Sequence, residues 1–372
     1  MNKDDIFNLT LAKKTSSSGQ SSTLGTKSVT ESGVYMASDD NLDGYYYFRV
    51  DVPIDALLDG SITSISSAVK SLRPKAFMGY TNLKSAQFPN VTEIEEGTFQ
   101  DCTKLESCTF GNITEIGNDA FNNCSVTSLD LSHVTTIGSS AFYKSNIETL
   151  DAPELTLILT NAFKSSKVSS IKCDKLEAIQ NSAFSSTNIQ ALSDSSLPIL
   201  EGIGEYAFSS CSNLVTVSLT NLLHMSSSAF AYCSNLETVE LPKVTYIGSD
   251  AFSGCTKITS IELPELTTLG YNCFSGCSSL TTAKFPKLTS LPATAFRSAT
   301  NFDTLVLKVN QVCTLANVNA FSYTKFASGK AGGTIYVPRE QIASYQANNN
   351  WASVLSQNTN NQILAVEDSP YA

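Results

Sequence analysis

The hydrophobic positions of the chain repeat with a period of 21 to 25 residues. A phenylalanine marks each period, at Phe77, Phe99, Phe121, Phe142, Phe163, Phe184, Phe208, Phe230, Phe252, Phe274, Phe296 and Phe321. Apolar or thiol residues follow each phenylalanine at fixed offsets, for example Cys255, Ile258, Ile261, Leu263, Leu266 and Leu269. A fixed period of this length is typical of stacked repeat architectures.

Each period contains one alternating segment, which predicts a β-strand. In the period counted from Phe252, Ile261 and Leu263 alternate with polar residues, and Pro264 ends the segment. A second apolar step at Leu266 and Leu269 then leads to a glycine turn. One repeat cannot bury its apolar side alone, whereas stacked repeats can, with parallel strands about 4.8 Å apart. The pattern predicts an α/β-type solenoid of about 11–12 repeats with a parallel concave β-sheet.

Four segments are expected along the chain. They are an N-terminal segment with a Ser-rich linker (1–28), a small β-module (29–60), the solenoid (61–325) and a C-terminal helical cap (326–372). Two strands around a polar loop are expected at 29–35 and 44–53. In the cap, Pro338 suits the first turn of a helix. We expect Trp351 to bury the last repeat rather than to stack on a ligand.

The repeat is close to Ala-Phe-x-x-Cys-x-x-Leu-x-x-Ile-x-Leu-Pro-x-Leu-x-x-Ile-Gly, and the units starting at Ala229, Ala251 and Cys273 follow it best. In this it resembles the bacterial BspA-like, Treponema-type leucine-rich repeats. The resemblance implies a curved solenoid with a binding or adhesion role on a bacterial surface, and it implies no catalytic residues.

Residues 29–53 are similar to short β-modules in prophage and phage-tail proteins of gut Firmicutes, which implies a virion component as an alternative. The first 14 residues have no continuous apolar region and no small-residue cleavage site, so they are not a signal peptide. Either the protein does not use that export route or a leader has been removed. The expected location is a bacterial surface, the extracellular space or a phage virion.

The charge argues against two classes of partner. The formal net charge is −10, whereas nucleic acid and anionic membranes attract clustered Lys and Arg. No stretch approaches the 18 or so apolar residues of a membrane span. Charged residues make up only 16% of the chain, and Ser and Thr fill about a quarter of it.

Ten cysteines suggest redox or metal chemistry, but the repeat explains most of them. Six lie three residues after a repeat phenylalanine: Cys102, Cys124, Cys211, Cys233, Cys255 and Cys277. We expect a column of reduced, buried thiols. Disulfides between adjacent repeats remain an alternative, because strand spacing falls within the disulfide range. A metal site at Cys273 and Cys277 is less favoured, because Cys277 already belongs to the column.

Two other motifs are weak. Residues 39–44 match the start of a calcium loop, but Val50 stands where a bidentate glutamate is required, so a polar hairpin loop is expected. His133 and His224 lie about four repeats apart and cannot share a site; both are expected in surface turns. With no catalytic constellation visible, we predict a non-enzymatic protein with no cofactor and no metal.

The remaining candidate is the exposed side of the predicted sheet, where outward positions alternate with buried ones. Ser or Thr fills ten of eleven positions in the first outward column, and acidic residues recur in the second. Candidate binding residues for protein or carbohydrate are Ser128, Asp130, Thr149, Asp151, Thr216, Ser218, Thr238, Glu240, Ser260 and Glu262. Two alternatives stay open: these hydroxyls could simply suit exposed strands and bond along the ladder, or the protein could be a structural spacer. This side also lacks the aromatic residues that usually anchor partners. The ligand and the oligomeric state stay open.

Overall fold

A computed structural model describes residues 62–372, together with the backbone of four short strands nearer the N-terminus. Those strands form two antiparallel pairs, Thr23–Leu24 with Lys27–Ser28 and Val34–Ser38 with Tyr45–Arg49. Each strand of the second pair overlaps one of the two segments in which the sequence predicts a strand. The rest of the expected linker and β-module, including the calcium-like loop at 39–44, lies outside the described residues. The chain divides into two units, Met1–Val168 and Ser169–Ala372.

Both units are built from the same turn, which carries a longer strand that we call the primary strand. Its central side chain is inward and its flanking side chains are outward, as the alternation predicts. In the first unit the primary strands are Ser64–Ser66, Ser85–Phe88, Ser107–Phe110 and Thr149–Asp151. In the second unit they are Ser170–Lys172, Ala191–Ser193, Thr216–Ser218, Thr238–Glu240, Ser260–Glu262, Thr282–Lys284, Thr304–Val306, Thr334–Val337 and Gln362–Ala365.

A second, two-residue strand follows in most turns, where the sequence indicates only an apolar step. These secondary strands also pair in parallel and in register, as between Ile247 and Leu269. In the first unit they are Glu93–Ile94, Glu115–Ile116, Thr136–Ile137 and Leu157–Ile158. In the second unit they are Ala178–Ile179, Gly202–Ile203, His224–Met225, Tyr246–Ile247, Thr268–Leu269, Ser290–Leu291 and Thr314–Leu315. The predicted solenoid of parallel strands is confirmed.

The repeat phenylalanines form the centre of each core. In the first unit, neighbouring rings from Phe77 to Phe163 stack with centroids 5.0 to 5.4 Å apart. In the second unit, the rings from Phe184 to Phe296 stack at 5.3 to 5.7 Å. All of these rings are fully buried. The period in the sequence is therefore the period of this stack.

Two left-handed residues bend the chain sharply around eleven of the twelve repeat phenylalanines; at Phe321 only the second is present. They lie two positions before and two positions after the phenylalanine, as at Ser228 (φ 56°) and Tyr232 (φ 62°) on either side of Phe230. Most of these positions hold residues other than glycine, which carry a steric cost in this conformation. The cost recurs in every turn and is offset by the core that the bend allows the phenylalanine to enter.

Serine and threonine hydroxyls join adjacent turns outside the primary strands. Thr114 and Thr135 each donate to a backbone carbonyl of the preceding turn in the first unit, and Thr256 and Thr267 do so in the second. A neutral hydroxyl on every turn suits this role, because like charges stacked at strand spacing would repel one another. This explains why the chain is rich in Ser and Thr and low in charge.

The C-terminal cap contains two helices, α1 (Ile342–Ala347) and α2 (Asn349–Gln357), and short 3-10 helices at Arg339–Gln341 and Val366–Asp368. A further 3-10 helix, Val318–Phe321, lies in the last repeat before the cap. Asn348 separates α1 from α2, because its side chain accepts from the backbone of Asn350 and Trp351. Trp351 is fully buried, contacts Phe321 and donates from Nε1 to the Cys313 carbonyl at 2.7 Å. The predicted structural role of Trp351 is confirmed.

Candidate functional site

The outward side chains of the primary strands, which we call the primary face, include most of the candidate residues. In the first unit, Thr149 and Asp151 are exposed on either side of buried Leu150, as predicted. Ser128 and Asp130 are also exposed but do not lie in a strand. The prediction that a strand presents these two residues is wrong.

A local hydrogen-bonded turn explains the difference. The Asp130 carboxylate accepts from the Ser132 hydroxyl at 2.7 Å and from the Ser132 backbone N–H at 3.0 Å. Such side-chain bonds compete with strand pairing. The same two bonds hold the pKa of Asp130 below its ordinary value. This carboxylate is therefore already hydrogen-bonded within its own turn, and it is a weak candidate for binding a ligand.

In the second unit the structure brings four candidate residues together in register. Thr216 lies beside Thr238, and Ser218 lies beside Glu240. The Ser218 hydroxyl donates to Glu240 Oε2 at 2.7 Å. This bond directs the Glu240 side chain toward the neighbouring strand, and Glu240 remains exposed.

Ser260 and Glu262 belong to a different group of paired strands. Ser260 lies beside Thr282, and Glu262 lies beside Lys284. The Lys284 ammonium is 2.9 Å from Glu262 Oε2, with both side chains partly exposed. Glu262 is therefore half of an ion pair, and such exposed pairs contribute little to stability.

The hydroxyls of the primary face differ from those that join the turns. Thr216, Thr238 and Ser260 donate to no described residue through their hydroxyls, whereas Thr256 and Thr267 donate to backbone carbonyls. The alternative in which outward hydroxyls form hydrogen bonds along the strand ladder is thus wrong for these three residues. Their hydroxyl groups are therefore available to solvent as hydrogen-bond donors and acceptors.

Aromatic side chains do reach the primary face, contrary to the sequence-based expectation. Tyr336 lies in the strand Thr334–Val337, and Tyr371 from the C-terminal segment packs edge-to-face on it with centroids 5.3 Å apart. Beside Tyr371 is a cavity of about 230 Å³ that Glu262, Lys284 and Lys308 also line. Sequence reasoning missed this arrangement because Tyr371 is remote from the repeats it contacts.

The six cysteines that follow the repeat phenylalanines occupy the predicted core positions as free thiols. All ten are free; Cys108 is half-buried and the other nine are buried. Each thiol of the column donates to the carbonyl of a phenylalanine in an adjacent turn, as Cys255 does to Phe230 at 3.1 Å. Burial raises the pKa of Cys255, and it raises the pKa of Cys277 to about 12. The thiols are thus core residues, with a carbonyl as partner, and not nucleophiles.

We expect all ten thiols to react with a chromogenic thiol reagent after denaturation without reductant. In the native protein at about pH 8 the reaction should be slow, because the thiolate is the reactive form and burial disfavours it. Counting reacted thiols before and after adding denaturant checks both statements. A shortfall of two or more thiols in the denatured sample would mean a disulfide.

Serine replaces cysteine in two turns of the column, and the shorter hydroxyl does not reach a carbonyl. Ser145 and Ser166 are buried, and their Oγ atoms have no hydrogen-bond partner among the described residues. We expect Ser166→Ala to raise the free energy of unfolding by about 1 kcal/mol, because it removes an unsatisfied buried hydroxyl. The control is Thr187→Val, which loses a bond of 2.8 Å to the Phe184 carbonyl and should cost about 1 kcal/mol. Denaturant unfolding measures both; a destabilised Ser166→Ala variant would contradict the prediction.

The other candidate chemistry is placed as follows. His133 is exposed in a turn, as predicted, whereas His224 is an exposed residue of the secondary strand His224–Met225, so its prediction as a turn residue is wrong. No group of three or more His, Cys, Asp or Glu within the described residues could hold a metal ion. Among these residues, no helix has both the length and the apolar character needed to cross a bilayer.

Comparison with solved structures finds bacterial repeat proteins. A leucine-rich repeat protein from Bacteroides ovatus is 21% identical over 74% of this chain and 93% of its own, with a TM-score of 0.34. A leucine-rich cell surface protein from Faecalibacterium prausnitzii is 19% identical over 78% and 98%, with a TM-score of 0.38. A leucine-rich repeat protein from Eubacterium ventriosum is 15% identical over 75% and 92%, with a TM-score of 0.41.

A comparison with curated protein sequences finds no match. The sequence model of the BspA type leucine-rich repeat region (6 copies) does match, in overlapping segments at residues 70–190, 135–244, 190–301 and 223–341. Together these segments cover most of the chain and nearly all of the turns that carry the phenylalanine stack and the thiol column. The chain therefore belongs to the BspA-type leucine-rich repeat family.

Proposed function

We propose that this protein is a non-enzymatic recognition protein of a bacterial surface, and that it binds a protein or a carbohydrate through the primary face. One observation carries the proposal: Thr216, Thr238 and Ser260 present hydroxyls that have no partner among the described residues. Thr216 and Thr238 lie in register on paired parallel strands, and Ser260 lies on the next primary strand along the chain. A regular array of free donors and acceptors can bind sugar hydroxyls or a polypeptide backbone. Membership of the BspA-type leucine-rich repeat family supports the proposed location.

The net charge of −10 agrees with this class of ligand, since it disfavours nucleic acid. The alternative location on a phage virion depends on residues 29–53, most of which lie outside the described residues, and it stays a prediction. The alternative function is a structural spacer with no ligand on this face. The experiment must distinguish this alternative from a recognition protein.

The experiment measures binding of the purified full chain to protein and glycan arrays and to bacterial and host cells. The test variant is Thr238→Arg with Ser260→Arg on the primary face. The matched control is Thr268→Arg with Ser290→Arg, two exposed hydroxyl residues of secondary strands. We expect the test variant to lose at least about tenfold in affinity and the control to keep it. Absence of any ligand for the unmodified chain, or equal loss in both variants, would refute the proposal.

A further inference from the structure

Val306 is an outward residue that solvent does not reach. In the strand Thr304–Val306, Leu305 points inward, so Thr304 and Val306 belong to the primary face. Val306 is nevertheless only 1% exposed. Its register partners on either side are Lys284 and Tyr336. Something must therefore lie across this position.

The C-terminal segment covers it. The Lys284 ammonium lies 5.2 Å from the centroid of the Tyr371 ring, which is cation–π distance, and Tyr336 packs edge-to-face on the same ring. Tyr371 contacts both neighbours of Val306 and lines the same cavity as Val306, which places its ring beside that residue. Val306 thus supplies an apolar floor, with a cation on one side and an aromatic ring on the other, and these three groups suit a tyrosine side chain.

The site around Val306 extends beyond the Tyr371 side chain that packs there. The cavity of about 230 Å³ beside the Tyr371 ring is lined by Glu262, Lys284, Pro286 and Lys308 among others. Lys308 is exposed, and its ammonium contacts no carboxylate among the described residues. A peptide that carries a carboxylate next to its tyrosine could use this ammonium.

Val366 anchors the start of the covering segment, since it is buried, and the acidic residues that follow it are held by exposed contacts. Arg339 forms an ion pair with Asp368, with both side chains more than half exposed, and its backbone N–H donates to the Glu367 carboxylate at 3.2 Å. Exposed ion pairs contribute little to stability. Residues 367–372, attached in this way, open at low cost compared with the core.

We propose that the surface over Val306 is a binding site for an acidic, tyrosine-bearing peptide segment of a partner protein, and that the chain's own residues 366–372 occupy it in the absence of that partner. This inference rests on the proposed function and specifies its partner, since the site is part of the primary face. A polypeptide is favoured over a carbohydrate because the occupant in the structure is the sequence Val-Glu-Asp-Ser-Pro-Tyr-Ala.

The probe is an acetylated synthetic peptide of that sequence. The released variant, Glu367→Ala with Asp368→Ala and Tyr371→Ala, removes the side chains that hold the segment. Calorimetric titration should show the peptide binding the released variant at least tenfold more tightly than the unmodified chain, where the tethered segment competes at a local concentration in the millimolar range. The same peptide with alanine in place of tyrosine should not bind.

Two further variants locate the site. In the released background, Val306→Arg should abolish peptide binding, and Thr268→Arg should leave it unchanged. If Val306→Arg does not fold, Lys284→Ala replaces it and should weaken binding at least threefold. Equal affinity for the released and unmodified chains, or binding that none of these variants at the site alters, would overturn the proposal. Binding of a glycan but not of the peptide to the released variant would also overturn it. In each of these cases, loss of array binding in Thr238→Arg with Ser260→Arg would still support the proposed function. Failure of the peptide site is therefore distinguishable from failure of the proposed function.

Discussion

Replacing Phe230 with alanine is expected to lower the free energy of unfolding by about 3–5 kcal/mol. The ring is fully buried and stacks on Phe208 at 5.3 Å and on Phe252 at 5.7 Å, with interplanar angles of 5° and 8°. The substitution removes buried apolar volume and two aromatic contacts at once. In a repeat protein stability depends on contacts between neighbouring turns, so the loss weakens both interfaces of the turn.

The matched control is Tyr232→Ala in the same turn. Tyr232 is 64% exposed, and both tyrosine and alanine carry the same backbone cost at its left-handed position. We expect a change within about 0.5 kcal/mol. Denaturant unfolding monitored by circular dichroism measures both variants, and an unchanged slope shows that the same surface unfolds. A Phe230→Ala variant no less stable than Tyr232→Ala would contradict the role of the stack.

Some features of the fold follow directly from the sequence. The spacing of the phenylalanines defines the repeat, and alternation around residues such as Ile261 identifies the primary strands. The position of Cys255 three residues after Phe252 places its thiol in the core. These features are predictable because each depends on one residue type recurring at one position of every turn.

The secondary strands are not predictable in the same way. A two-residue strand such as Tyr246–Ile247 has one inward and one outward residue, so it shows no alternation to detect. The left-handed residues are hidden for another reason: Ser, Asp, Asn and Tyr occupy positions where glycine would be the usual signal. Only the packing of the turn around its phenylalanine imposes this conformation.

The candidate site likewise has features that the sequence predicts and features that it does not. The outward placement of Thr238 and Ser260 follows from alternation alone. Asp130 departs from it because Ser132 offers its carboxylate two local hydrogen bonds. Tyr371 joins the primary face through contacts with Lys284 and Tyr336, which are 87 and 35 residues away in sequence. Such long-range contacts leave no periodic signal, and they create the cavity at this end of the face.

The glycine that closes several turns is required because two backbones approach closely. A Cβ atom at Gly248 would lie 2.5 Å from the Ser227 nitrogen and 2.7 Å from the Ser226 carbonyl carbon. Both are backbone atoms, so no side-chain rotation relieves the overlap. The Gly248 N–H donates to the Met225 carbonyl at 2.8 Å, and this bond fixes the distance between the two turns.

We therefore expect Gly248→Ala to lower the free energy of unfolding by about 3 kcal/mol, the upper range of overpacking costs, because the turns must separate. Gly202→Ala is the matched control: a Cβ atom there meets only Ala178 Cβ, at 3.8 Å, which is ordinary contact. The control should be neutral or up to about 1 kcal/mol more stable, since alanine is preferred to glycine within a strand. Denaturant unfolding measures the free energy of unfolding of both variants. Equal stability of the two would show that the turns can move apart freely, and the backbone contact would then not be what sets their spacing.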